Sequence, residues 1–300
     1  MLAYTREPDQ WIQSGTTRIA VFNDEGVANI DTVTVQSFGE EWGRFNAFDE
    51  ADLKRCGDEY FDIVSDAMAN KDSVVLDMGC GTGRWSKYLA PRVGFIEAID
   101  PSDAVQEAVS ILAENKNVRV SKASVDSIPF ADNAFDFIFS LGVFHHIPDT
   151  AKAIATTVRK LKPGGTILLY LYYKLDNRSL PYRLLFYMSH LLRLFISKMP
   201  STVKQILSEG IAAIVYFPLA TLAGAVKAVG AKKLGSRMPL SYYSDKSYYI
   251  MRNDALDRFG TPLEQRFSRK EITEMLTAAG LRDIHFSDGT PYWHVTAKKG

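Results

Sequence analysis

Cysteine is scarce. Two in 300 residues, Cys56 and Cys80, cannot make a disulfide framework, and Cys80 stands in a glycine-rich turn where a cross-link would obstruct the backbone. A reducing, cytoplasmic setting is the expectation. Excess charge is missing as well: 35 basic residues balance 35 acidic ones, which excludes a global attraction to nucleic acid, although a zero total can hide opposed local charges. Residues 1–10 carry Arg6, Glu7 and Asp9 with no apolar stretch leading into small residues, so they do not read as a secretory signal. The longest uncharged apolar run, Ile211 to Val226, is 16 residues long and contains Pro218. That falls short of the roughly 20 residues a bilayer-spanning helix needs, and no such helix is expected. His145 and His146 are adjacent, so they cannot share a helical face, and no Cys or carboxylate completes a familiar ligand spacing; no metal is expected. Internal repeats and low-complexity segments are also lacking.

What is present is alternation. From Ser73 to Tyr173 short β-branched runs alternate with longer segments of helical character, the signature of parallel βαβ units. The spacing predicts strands over Val74–Asp77, Phe95–Ile99, Val118–Lys122, Phe135–Leu141 and Thr166–Tyr173. Helices fit between them from about Trp85, from about Asp103, and from Thr150 to Leu161, where Pro163-Gly164-Gly165 stops the last. Leu180 to Val229 reads as two apolar helices separated by Pro200-Ser201. The alternation resumes at Ser268-Arg269-Lys270-Glu271, a capping-box pattern for a helix ending at Gly280. Two antiparallel strands, Arg282–Phe286 and Trp293–Lys298, close the chain. Four regions follow: an N-terminal cap (1–59), an α/β core (60–175), a helical insert or lid (176–254) and a C-terminal completion of the core (255–300). Within the cap, Phe38, Trp42 and Phe45 recur on one helical face, with Phe48 close behind.

The most informative stretch is Val74-Val75-Leu76-Asp77-Met78-Gly79-Cys80-Gly81-Thr82-Gly83-Arg84-Trp85. A buried strand runs into glycines at alternate positions and then into a helix; glycine permits the tight turn and lets a ligand lie against the backbone. A dinucleotide fingerprint would place its third glycine where Arg84 stands, which argues against NAD. Twenty-one positions after Gly79, at the end of the second strand, Asp100 precedes Pro101. A carboxylate there can accept from both hydroxyls of a ribose.

The glycine turn and Asp100 are followed by Ile128-Pro129-Phe130, Asp132-Asn133-Ala134-Phe135-Asp136, Phe144-His145-His146-Ile147-Pro148-Asp149 and Leu161-Lys162-Pro163-Gly164-Gly165. In this order the motifs resemble those of the class I S-adenosylmethionine (SAM) dependent methyltransferases, most nearly the small-molecule branch that includes ubiquinone and menaquinone methyltransferases. The resemblance covers Tyr60 to Tyr173 well and Ser268 to Gly300 loosely. It implies an α/β, doubly wound, mostly parallel Rossmann-like sheet with a final antiparallel strand. It also implies that Asp77 and the Gly79 backbone, in the turn shared with Cys80, Gly81 and Gly83, hold the methionine end of SAM. Asp100 and Pro101 would meet the ribose, and the Val125 amide with Ser124, Asp126 and Leu141 would frame the adenine. Many relatives carry an acidic residue where Ser124 stands, so Ser124 or Asp126 must substitute here.

Methyl transfer from a sulfonium needs an in-line nucleophile, correct positioning, and a base only where the nucleophile carries a proton. His146, or else His145, lies at the carboxyl edge after the fourth strand and is the candidate base or substrate contact; packing alone is the competing reading. Ser140-Leu141-Gly142-Val143 replaces the Asn/Asp-Pro-Pro-aromatic pattern of enzymes that methylate exocyclic base amines, so DNA is not an expected substrate. Tyr170, Tyr172 and Tyr173, and Tyr242, Tyr243, Tyr248 and Tyr249, either surround a substrate or belong to the core. Asp254, Arg258, Thr261, Glu264 and Arg266 form a polar segment read as a substrate cover or a solvated loop. A small-molecule acceptor leads; methylation of RNA or protein, and a non-catalytic SAM-binding protein that docks a partner through the insert, are the alternatives.

The insert hides a charge bias. Between Arg178 and Arg237 nine basic residues face one acid, Glu209, a net of +8. Arg183, His190 and Arg193 fall along one helical face, while leucines and Phe195 cover much of the rest. Such a pair of helices is either a lid with a solvated basic rim, which is the expected outcome, or an apolar wall that also touches lipid as a peripheral membrane contact.

Overall fold

The computed structural model describes residues 1–26, 28–42, 49–176, 178–289 and 293–300; for 40–42 it describes the backbone alone. Phe45 and Phe48, and the side chain of Trp42, therefore lie outside the described residues. The chain divides into two compact units, Met1–Lys174 with Leu263–Gly300, and Leu175–Pro262. The second extends further than the expected 176–254, because its last helix runs on to Gly260.

The first unit is built on nine strands: β1 (Gln10–Ser14), β2 (Thr17–Phe22), β3 (Val74–Met78), β4 (Phe95–Asp100), β5 (Val118–Ala123), β6 (Phe135–Leu141), β7 (Leu161–Tyr170), β8 (Leu281–Phe286) and β9 (His294–Lys299). Their order across the sheet is β1-β2-β5-β4-β3-β6-β7-β9-β8. Pairing is parallel from β2 to β7, and antiparallel for β1 with β2, β7 with β9 and β8 with β9. The expected doubly wound sheet with a late antiparallel addition is therefore present. The chain order reverses between β3 and β6, and ligands of such sheets bind at the carboxyl ends of the strands flanking that switch.

Helices of this unit are α1 (Thr32–Trp42), α2 (Glu50–Tyr60), α3 (Arg84–Leu89), α4 (Val105–Ile111) and α5 (Thr150–Lys160). Leu76, Met78 and Ile138 point to one face and pack with Ile154 and Val158 of α5. Val75, Phe137 and Phe139 point to the other and pack with Leu89 of α3 and Val105 of α4. Phe135 and Phe137 end on opposite faces despite their even spacing. A register shift lies between them, where the partner jumps from Leu161 to Thr166 and residues 162–165 loop out. For that reason β7 begins at Leu161, five residues before its expected start.

The β1–β2 hairpin was not expected. Residues 10–22 lengthen the sheet: β2 lies parallel to β5, Ala20 beside Ser121 and Phe22 beside Ala123, and its last four residues are buried. The loop after β2 thus emerges at the carboxyl edge, beside the end of β5.

The second unit contains α6 (Leu180–Ile196), α7 (Ser201–Ile211), α8 (Phe217–Ala228), α9 (Lys232–Gly235) and α10 (Tyr248–Gly260). Two helices flank Pro200-Ser201 as expected. The second, however, is uninterrupted from Ser201 to Ala228, 28 residues that are long and apolar enough to cross a membrane by length and composition. A π-turn over Ala212–Tyr216 joins α7 to α8. Its wider hydrogen-bond ring changes the register just before Pro218, which then occupies an opening position of α8 where an N–H is not required. The helix thus extends beyond the uncharged run of 211–226 at both ends, and Pro218 does not break it. Asp254 and Arg258 sit on α10, so the supposed polar loop is helical there. The basic rim is also only partial. Arg193 is buried and donates to the Thr261 and Pro262 carbonyls, and buried Lys204 donates to the Gly260 carbonyl. The last helix, α11 (Arg269–Ala278), belongs to the first unit and begins with the expected capping box of Ser268 and Glu271.

Candidate functional site

Strand β3 delivers the chain into a turn in which Gly79, Gly81 and Gly83 all adopt positive φ, +82°, +52° and +79°. A Cβ on Gly79 would lie 2.5 Å from Val143 Cγ1, and one on Gly83 would lie 2.5 Å from Leu112 Cδ1. These two glycines are thus required by neighbouring side chains as well as by conformation. Gly79 and Cys80 both donate to the Ile99 carbonyl, at 2.8 and 3.0 Å, which ties the turn to the end of β4. Cys80 is buried, and burial pushes its thiol well above the ordinary range.

Asp100 completes the joint. Its Oδ2 accepts from Gly81 N at 2.9 Å, and its Oδ1 accepts from the Ser102 amide at 2.8 Å and hydroxyl at 2.6 Å. The carboxylate is held in one orientation at the mouth of the turn; Oδ2 keeps a further lone pair for a ligand, and the Ser102 hydroxyl, which can rotate, is able to yield the one it takes on Oδ1. Pro101 follows Asp100, half-buried. Burial raises the pKa of Asp100 despite these donors. Asp77 is 1% exposed and accepts from Ser86 Oγ at 2.7 Å. Desolvation, with a smaller contribution from the Asp100 charge, raises its pKa to about 7. Two poorly solvated carboxylates beside a left-handed glycine turn favour a cationic, hydroxyl-bearing ligand. The buried Thr82 hydroxyl of the turn has no hydrogen-bond partner among the described residues. These features fit a nucleoside sulfonium cofactor with an amino-acid end.

At the end of β5, Ser124 Oγ donates to the carboxylate of Asp24, in the loop after β2, and accepts from the Asp126 amide at 3.0 Å. Asp126 itself accepts from the Asn29 amide at 2.5 Å, and Val125 is buried. The N-terminal hairpin therefore places an acidic group where Ser124 lacks one. Sequence reasoning missed Asp24, since only the β2–β5 pairing brings it within reach across 100 positions. Leu141 ends β6, nearly buried, on the same carboxyl edge.

The two histidines have different environments. His145 is fully buried and stacks on Tyr172 with ring centroids 3.8 Å apart; its Nδ1 accepts from the Tyr172 amide at 3.4 Å. Burial first, then the neighbouring His146 and Arg266, hold its pKa well below the usual histidine range, so it is neutral and a weak base. His146 is 6% exposed, and its Nδ1 lies 2.6 Å from the Leu263 carbonyl. A carbonyl can only accept, so Nδ1 carries the proton and Nε2 is the basic nitrogen. Phe38 meets the His146 ring edge-on at 5.0 Å.

Around these residues the carboxyl edge is aromatic. Tyr60 contacts Trp85 at 5.0 Å, Tyr170 at 5.1 Å and His294 at 6.4 Å, and Tyr170 lies 5.8 Å from Tyr172. Arg266, paired with buried Glu264 at 2.9 Å, sits 4.9 Å over the Tyr172 ring. Tyr60 and His294, whose Nε2 meets Asp62 Oδ1 at 2.7 Å, were not singled out from sequence; β9 brings His294 opposite Tyr170. Tyr242, Tyr243, Tyr248 and Tyr249 belong to the other unit, where Tyr243 donates to Asp254 at 2.9 Å.

Residues 76–169 match the family model of the methyltransferase domain. Over 104 residues the chain is 36% identical to phosphoethanolamine N-methyltransferase 2 of Caenorhabditis elegans, covering 33% of this chain and 24% of that protein. It is 32% identical over 114 residues to the uncharacterized methyltransferase YcgJ of Bacillus subtilis (strain 168), covering 37% and 45%. It is 28% identical over 110 residues to demethylmenaquinone methyltransferase of Staphylococcus aureus (strain JH9), covering 35% and 46%. The chain spans from a quarter to about half the length of these relatives. The family match over 76–169 includes the glycine turn, Asp100 and both histidines.

Proposed function

We propose that this chain, whose residues 76–169 form a methyltransferase domain of the class I SAM-dependent fold, transfers a methyl group from SAM to a small, partly apolar acceptor. The observation that carries the reading is the 2.9 Å bond from Gly81 N to Asp100, which locks the glycine turn and the ribose-accepting carboxylate together beside the switch point of the sheet. Two relatives named for small acceptors, phosphoethanolamine and demethylmenaquinone, support the acceptor class.

Bound SAM supplies a methyl group already activated by its cationic sulfur. The chain's work is therefore to bind, orient and deprotonate. Asp77 would hold the ammonium of the methionine end, a cation that favours its ionised form. Asp100 would hold the ribose. Asp24, drawn in by Ser124, would accept from the adenine amino group in place of the missing acidic residue. Tyr60 and Tyr170, half-buried and in mutual contact at the carboxyl edge, would offer aromatic surface to an apolar acceptor. His146, with its tautomer set by Leu263, takes the acceptor's proton at Nε2; His145 holds the edge in place.

The test is incubation of the full chain with methyl-labelled SAM and fractionated cell extract, followed by mass analysis. The expected result is S-adenosylhomocysteine together with a labelled low-mass product. His146→Gln should lower turnover by about 10²-fold or more with SAM affinity unchanged. Label confined to RNA or protein would overturn the acceptor class, and full turnover in His146→Gln would remove the base.

A further inference from the structure

The Leu175–Pro262 unit turns most of its large apolar side chains outward around a small buried core of Ile196, Tyr216, Met251 and Phe259. Along the 28-residue helix of α7 and α8 the buried positions are Lys204, Ser208, Ala212, Tyr216, Ala220 and Ala223, a helical stripe of small and polar residues. The large apolar side chains point the other way: Ile206, Ile214, Val215 and Leu222 are exposed, Ile214 at 78%. Helix α6 repeats the pattern, with Arg193 buried while Leu184, Met188, Leu191 and Phe195 face outward. Nineteen of the twenty-two exposed large apolar side chains among the described residues belong to this unit. A water-facing helix buries its large apolar side chains and exposes its polar ones; the reverse arrangement, small and polar inside with leucine, isoleucine and phenylalanine outside, suits a hydrocarbon solvent.

Charge completes the pattern. The outward face carries no charged residue from Ile211 to Val226, and exposed basic residues stand beyond its ends: Lys198 before α7, and Lys232, Lys233 and Arg237 after α8. Its acid, Glu209, is paired with Arg252 at 2.7 Å. At a rise of 1.5 Å per residue the helix is roughly 42 Å long, against a hydrocarbon core of about 30 Å, so its ends reach headgroup depth. A second copy of the chain would bring the same positive field against itself, whereas anionic phospholipid neutralises it.

We propose that this unit seats its outward apolar face in an anionic phospholipid bilayer, with the basic residues at the headgroups. The proposal is independent of the methyl-transfer reading. The test is flotation of the full chain with vesicles of phosphatidylcholine alone and of phosphatidylcholine with phosphatidylglycerol, at low and high salt. The expected result is co-flotation, at least tenfold stronger with phosphatidylglycerol at low salt. Ile206→Asn, Ile214→Asn and Leu222→Asn together should abolish it while circular dichroism stays unchanged. Lys232→Gln, Lys233→Gln and Arg237→Gln, which leave the packed stripe intact, should remove the phosphatidylglycerol preference and serve as the control if the first variant misfolds. Wild-type protein that remains in the bottom fraction with both vesicle types would overturn the proposal. So would a discrete dimer in sedimentation velocity that hides the apolar face and does not float.

Discussion

The two units of this chain solve opposite packing problems with the same amino acids. In the sheet unit Ile138, Phe137 and Phe139 are fully buried, with Asp77 and Glu97 among the few buried charged groups; in the helical unit Ala212, Ala220 and Ala223 are buried and Ile214 lies outside. Burial of apolar side chains stabilises the first in water. The second leaves many of its apolar side chains outside, and its interior joins a small apolar core of Ile196, Met251 and Phe259 to buried Arg193 and Lys204, which donate to main-chain carbonyls. One apolar content therefore has two meanings, and only the direction of the side chains distinguishes them.

The sharpest way to break this comparison is a matched pair of truncations. Ile138→Ala should cost about 2–5 kcal/mol of stability by denaturant unfolding, and Ile214→Ala less than about 0.5 kcal/mol in water. Equal costs would show that the outward face of the helical unit is packed in solution. Within the sheet unit, Asp100→Ala should weaken SAM binding by roughly 1.5–3 kcal/mol in calorimetry, because a charge-assisted contact to two hydroxyls is lost.

A pH series sharpens the electrostatic part. The folded Asp77 has a pKa of about 7, above its value of 3.8 in an unfolded chain, so its contribution favours the ligand-free fold at low pH and is lost as pH rises through 7. Binding a cationic ammonium expels that proton. SAM affinity should therefore rise up to about tenfold per pH unit between pH 5.5 and 7 and then flatten, and Asp77→Asn should remove the slope. The smallest effect belongs to Asp24→Ala, a loss of about 1 kcal/mol for the adenine nucleoside. It should be accompanied by lost discrimination against the inosine analogue, which presents a carbonyl in place of the amino group.

How much of this was legible in the sequence follows the range of the interactions. The glycine turn, Asp100 and the strands from Val74 to Leu141 were readable because strand, turn and helix signals lie within a few residues of one another. The β1–β2 hairpin was missed although Gly15 and the run Ile19-Ala20-Val21-Phe22 marked it; β1 is a mostly exposed edge strand with weak alternation. Asp24 was unreadable for a different reason: its role depends on a parallel pairing between β2 and β5 that local patterns do not encode. The second helix of the insert was expected to run through Pro218, and it does, but the π-turn ahead of that proline left no local trace. His145 and His146 follow β6 at its carboxyl end, as the sequence indicated, but their different hydrogen-bond surroundings depend on Tyr172 and Leu263, which come from other parts of the chain.

The central claim is that the glycine turn and Asp100 form the SAM site, and a crystal structure with S-adenosylhomocysteine tests it most directly. The account predicts ribose hydroxyls within hydrogen-bonding distance of the Asp100 carboxylate, the ammonium at Asp77 and the adenine edge beside Asp24. A ligand bound away from Asp100, or no ligand at saturating concentration, would contradict it.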